Sequence, residues 1–143
     1  MTIICYRDGM MASDSWIMMA DSYSVFANTK KIIKTKKGTL AGATGKLSSL
    51  SEFLKWVAKD KLTNPPEYIF DEEFTGLMIL PNKKILLWES VHPSEVTAEY
   101  FVIGSGYDIA LGALANGCNA AQAVATTIKH CKICGGDIQV EML

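Results

Sequence analysis

Apolar residues recur along this chain with two different periods, and each change of period marks an element. Residues 3–6 and 10–13 are short apolar, β-favouring runs, and the Arg7-Asp8-Gly9 segment between them carries an Asp-Gly pair, a strong hairpin signal. Residues 16–19 extend the β pattern, and Asp21-Ser22-Tyr23 reads as a turn. A second hairpin follows: a β-branched strand over 31–35, a turn at Lys36-Lys37-Gly38, and a small-residue strand over 39–44 that stops at Gly45.

The period then switches. Leu50, Phe53, Leu54 and Val57 recur at helical spacing and predict a helix over 47–61. Ser49 and Glu52 have the form of a capping box at its start, and Asn64-Pro65-Pro66 is expected to end it. Past an acidic patch (Asp71, Glu72, Glu73), strands are predicted at 75–80 and 84–89 around a Pro81-Asn82-Lys83 turn, and at 99–103 leading into Gly104-Ser105-Gly106. Two helices follow, over 107–116 with Gly117 as the C′ residue, and over 119–130 with Asn119 and Gln122 in capping-box form. Gly135-Gly136 is a turn and 138–142 a last alternating strand. Runs of strands with helices gathered between them argue an α+β fold in one domain, residues 1–143. Two antiparallel sheets face to face, with helices on their outer sides, would cover every apolar face.

Composition narrows the function classes. With 143 residues, 49% hydrophobic and 20% charged, the chain suits an ordinary globular domain that needs no staples. A net charge of −1 gives no electrostatic reason to expect nucleic acid or an anionic membrane as partner. No apolar run reaches a membrane span of about 18 residues and no secretory leader is visible, so the cytoplasm is the expected compartment. Seven methionines and three tryptophans exceed what a core strictly needs. Some are expected at subunit contacts, Trp56 on the 47–61 helix among them.

Of the four cysteines, Cys131 and Cys134 form a lone CxxC after a predicted helix. A zinc site calls for a second ligand pair, which Cys5 and Cys118 do not supply, and a thioredoxin-type motif opens a helix where this one follows one. Half-buried thiols are expected, with no metal and no cofactor.

The chain opens directly into a strand, and Thr2 is small enough to favour trimming of Met1. A trimmed Thr2 carries hydroxyl and free α-amine on one residue, a self-contained nucleophile and base, since an α-amine titrates at about 7.7–8.0. Read singly, Thr2 is a strand residue, Asp14 a turn residue, Lys31 a solvated strand lysine, Gly42 a bulge and Ser105 a helix cap.

Taken in order, these segments resemble the proteasome β-subunit superfamily of N-terminal nucleophile hydrolases. The likeness is strongest to the bacterial ATP-dependent peptidase subunit and its short phage-encoded relatives. It rests on Thr2-Ile3-Ile4 before Tyr6-Arg7-Asp8-Gly9, on Ala12-Ser13-Asp14, on Asn28-Thr29-Lys30-Lys31-Ile32, on Leu40-Ala41-Gly42-Ala43-Thr44-Gly45 and on Ile103-Gly104-Ser105-Gly106. The resemblance implies a four-layer αββα sandwich and a threonine peptidase. Thr2 would be the nucleophile, Lys31 and Asp14 its charge pair, Gly42 the oxyanion-hole glycine, and Ser105 a support for the nucleophile. It also implies a protein or peptide substrate, a homo-oligomeric ring, and room for an ATP-dependent unfoldase as partner. One departure stands out: where the family pattern has an acidic and then a small hydroxyl residue after the last helix, this chain has Cys131 and Cys134. A non-catalytic scaffold of the same fold and a non-peptide amide hydrolase are the rival expectations.

Overall fold

The computed structural model describes residues 2–18 and 25–143, and the turn expected at Asp21-Ser22-Tyr23 lies outside them. The first hairpin forms as expected, pairing β1 (Ile3–Arg7) with β2 (Met10–Ser13). Asp8 and Gly9 both take positive φ, 49° and 78°. That is the requirement of a type I′ turn, whose twist matches the strands it joins.

β3 (Trp16–Met18) and β4 (Val25–Asn28) make a two-stranded ribbon. β5 (Ile32–Lys34) and β6 (Leu40–Thr44) form the second hairpin. Next come α1 (Leu47–Ala58), a short 3-10 turn (Glu67–Ile69), β7 (Thr75–Ile79), β8 (Ile85–Trp88), β9 (Ser94–Val96) and β10 (Tyr100–Gly104). α2 (Tyr107–Ala115), α3 (Ala120–His130) and β11 (Gln139–Met142) complete the order. The larger sheets are antiparallel, with strand orders β10-β1-β2-β11 and β5-β6-β7-β8-β9.

Strand alternation sorts the core into three clusters. On β1, Ile3 and Cys5 face Ala110 and Leu114 of α2 and Ala120, Ala123 and Val124 of α3. Ile4 and Tyr6, one residue out of phase, meet Ile32, Leu40, Leu77 and Ile79 of the other sheet. On that second sheet Ala41, Ala43 and Met78 turn the opposite way, onto Leu50, Phe53, Leu54 and Val57 of α1. The period of two along a strand is what lets each sheet bury both faces.

Three expectations need correction. Ser49 does not cap α1: Lys46 holds the N-cap position with no side-chain bond, and Ser49 is buried within the first turn. The helix also stops at Ala58, short of residue 61 and well before the prolines, because the chain turns left-handed at Asp60 (φ 55°). Trp56 is not a surface aromatic. It is 7% exposed, stacks edge-on with Trp88 at 5.0 Å and donates its indole N–H to the Thr63 carbonyl at 2.9 Å. The Asn119–Gln122 box, by contrast, forms in both directions at 2.8 and 2.9 Å.

Candidate functional site

The site grows from the start of β1. Ile3 pairs with Gly104 on β10, and this register sets the Thr2 carbonyl against the backbone N–H of Ser105 at 2.7 Å. Only glycine fits at 104: φ is 103°, and a Cβ there would overlap the Thr2 carbonyl oxygen. Thr2 itself is largely buried.

Asp14, one residue past β2, is fully buried and accepts three hydrogen bonds from the described residues. Its Oδ1 takes the Ile3 N–H at 3.1 Å and the Lys31 ammonium at 2.9 Å, and its Oδ2 takes the Gly135 N–H at 3.1 Å. The carboxylate therefore ties together the amide next to Thr2, the residue before β5 and the turn before β11. The Asp14–Lys31 ion pair has side chains 0% and 2% exposed, so it holds its geometry by burial instead of competing with water. Burial pushes the Lys31 ammonium below its ordinary value of 10.5, and the Asp14 carboxylate opposes that shift. Lys31 is further fixed through its backbone: its N–H donates to Gln139 Oε1 at 2.9 Å, and Gln139 returns its amide N–H to the Thr29 carbonyl.

A chain of contacts thus links the four: the Thr2 backbone to the Ser105 N–H, the Ile3 amide that follows Thr2 to Asp14, and Asp14 to Lys31. Gly42 stands apart in its environment. It is flanked by Ile32 on β5 and Leu77 on β7, so its amide lies in the plane of a sheet paired on both sides. A Cβ would meet Ile32 Cγ2 at 2.7 Å and Ile4 Cδ1 at 2.8 Å, so packing between the sheets is what requires a glycine here. Gly45, at the end of this segment, is exposed, with φ 119° and the Glu73–Phe74 backbone against its α-carbon; it follows Thr44, whose Cγ2 borders Gly104.

Sequence reading missed Gly104, Gly135 and Gln139 as supports of these residues. Gly104 was legible only as part of the Ile103-Gly104-Ser105-Gly106 segment and Gly135 only as a turn glycine, and nothing local marks Gln139. Cys134 was placed nearby only by the family pattern. Its Sγ lies 3.6 Å from the Ser105 carbonyl, and burial followed by the Asp14 charge pushes its thiol up to about 12. Among the described residues, no group of three or more His, Cys, Asp or Glu is placed to hold a metal ion, and no helix is long and apolar enough to cross a membrane.

No family sequence model matches the chain, and no curated protein matches it in sequence. Solved structures do match in shape. Thiobacillus denitrificans BPH (bacterial proteasome homologue) in complex with epoxomicin superposes with a TM-score of 0.72 at 17% identity, over 99% of this chain and 97% of that one. A second structure of Thiobacillus denitrificans BPH gives 0.65 at 19% identity, over 99% and 96%. The fold is proteasome-like.

Proposed function

We propose that the protein is a threonine peptidase that cleaves peptide bonds through Thr2 after Met1 is removed. The observation that carries the reading is the buried Asp14–Lys31 pair, whose carboxylate also holds the amide of Ile3, the residue that follows Thr2. In this reading the freed α-amine takes the Thr2 hydroxyl proton, and Oγ attacks the substrate carbonyl carbon. The C–N bond then breaks as the amine leaves with a proton, and water hydrolyses the acyl-enzyme. The Lys31 cation favours the neutral, basic form of the α-amine and offsets negative charge developing beside it. The Ser105 N–H keeps the Thr2 backbone in register. Gly45 replaces Gly42 as the oxyanion donor, because its amide lies at an exposed strand end and not within a paired sheet.

We read the stacking of α1, the two sheets and the α2–α3 pair as the four-layer αββα sandwich. The epoxomicin complex of the BPH structure supports the same chemistry. A closed homo-oligomeric ring facing its Thr2 sites inward, taking peptide from an unfoldase, belongs to this proposal. One feature favours a catalytically silent scaffold instead: Cys131 and Cys134 stand where the family pattern has acidic and hydroxyl residues. Purified protein of verified amino terminus, assayed on small peptide amides beside its Thr2→Ala variant, decides. Hydrolysis lost in a folded Thr2→Ala protein supports the peptidase; no hydrolysis by the trimmed wild type supports the scaffold.

A further inference from the structure

Cys131 and Cys134 lie at the two ends of one tight turn. Cys131 caps the end of α3, and the Cys134 N–H bonds back to the Cys131 carbonyl at 3.5 Å. A four-residue turn of this kind keeps its end Cα atoms within about 7 Å, and a disulfide needs about 4.4–6.8 Å. The exposures of the two cysteines differ: Cys131 is half-buried, whereas Cys134 is 2% exposed with its thiol against the Ser105 carbonyl. The next residue, Gly135, gives its N–H to Asp14 and its carbonyl to the amides of Ser15 and Trp16, both at 3.1 Å. The turn therefore touches both supports of Thr2, the Asp14 carboxylate and the Ser105 segment.

We propose that Cys131 and Cys134 form a reversible disulfide with a small-molecule disulfide as oxidant, and that this bond switches the Thr2 site by displacing its Asp14 and Ser105 supports. The Cys131 thiolate attacks one sulfur of the oxidant, forming a mixed disulfide and releasing one thiol. Cys134 sulfur then attacks Cys131 sulfur, the mixed disulfide breaks, and the second thiol leaves with the Cys134 proton. Two protein thiols are oxidised and one external disulfide is reduced. Closing the sulfurs to about 2.04 Å draws Cys134 away from the Ser105 carbonyl and pulls on Gly135, the donor to Asp14. Cys131 is the entry point because it is the accessible member; Cys134, shielded and with a raised thiol pKa, acts only as its partner.

The activity arm of the test rests on the peptidase reading, and the other arms do not. The full chain is treated with glutathione disulfide, the remaining thiols are alkylated after denaturation, and the peptides are mapped. Backbone amide NMR shifts and peptide hydrolysis are followed on the same samples, with Cys131→Ser as control. The expected result is a Cys131–Cys134 bond with Cys5 and Cys118 free, and shifts at Ile3, Ser105 and Gly135. Hydrolysis falls roughly 10- to 100-fold, the scale of a misplacement near 1 Å. Reductant reverses all of these, and Cys131→Ser shows none. A product that stops at a mixed disulfide, or a bond involving Cys118, overturns the proposal. So does a Cys131–Cys134 bond whose shifts stay within residues 129–134. If reduced wild type has no peptidase activity, that reading fails by itself, and the mapping and shift arms still decide this one.

Discussion

Replacing Gly104 by alanine tests the placement of Thr2 with a single methyl group. The added Cβ overlaps the Thr2 carbonyl oxygen and lies 2.9 Å from the Thr2 carbonyl carbon and 3.1 Å from Thr44 Cγ2. Two of these three neighbours are backbone, so no side chain can rotate away to make room. Alanine at φ 103° also costs about 1–3 kcal/mol in backbone strain, and overpacking a tight site costs about 1–3 kcal/mol more. A total of about 2–6 kcal/mol is expected, much of it relieved by pushing Thr2 off the Ser105 N–H. A shift near 1 Å at Thr2, the proposed nucleophile, is then expected to cost about a hundredfold in rate. Denaturant melts and peptide-amide hydrolysis per folded molecule measure the two effects. An alanine variant with wild-type stability and rate would refute the β1–β10 register and the placement of Thr2 built on it.

Gly42→Ala gives the contrasting case: its Cβ meets Ile32 Cγ2, Ile4 Cδ1 and, less tightly, the Lys31 carbonyl oxygen, so about 1–3 kcal/mol of stability is lost and the rate per folded molecule falls far less than in Gly104→Ala. A large fall in rate at unchanged stability would return the oxyanion role to Gly42. Lys31→Met leaves the buried Asp14 carboxylate without its cation, and a loss of about 3–5 kcal/mol is expected in thermal or urea melts, with hydrolysis down at least about a hundredfold; a variant as stable as wild type would refute the buried pair. For pH, burial holds the Lys31 pKa below 10.5, so its proton is lost earlier than from a free lysine. The alkaline limb of activity is therefore expected below 10.5. Over the same window the unfolded chain binds more protons than the folded one, so the Lys31 contribution to stability rises with pH and is lost as pH falls through the folded pKa. An activity limb at or above 10.5 would contradict the assignment.

What the sequence made legible was local. The Asp8-Gly9 turn, the Lys36-Lys37-Gly38 hairpin and the Asn119–Gln122 cap are all written in neighbouring residues, and all form. The Ser49–Glu52 pattern has the same form as the Asn119 one and does not cap, because the chain enters α1 at Lys46, three residues earlier. Spacing cannot report where a chain enters a helix when the apolar stripe begins before the box. β9 escaped notice because Ser94-Glu95-Val96 is a short, mostly exposed edge strand in which Val96 alone is half-buried, too little to impose a period. Within the site, Thr2, Asp14, Lys31 and Ser105 were reached through family likeness. The contacts that fix them, Gly135 to Asp14 and Gln139 to Lys31, join residues 121 and 108 positions apart, and no local pattern encodes them. Gly42 is a different case: the family likeness implies an oxyanion-hole glycine, and the structure adds a packing reason for it that no local pattern shows, since a Cβ there would meet Ile32 and Ile4 between the sheets.

In the proposed mechanism Thr2, once amino-terminal, is the nucleophile. The direct measurement is the mass of the intact protein and of its amino-terminal peptide after incubation with epoxomicin, the ligand of the similar BPH structure. The expected result is a chain that lacks Met1 and carries one equivalent of inhibitor on Thr2, with no adduct in Thr2→Ala. A trimmed chain that leaves Thr2 unmodified, or an adduct on another residue, would contradict it.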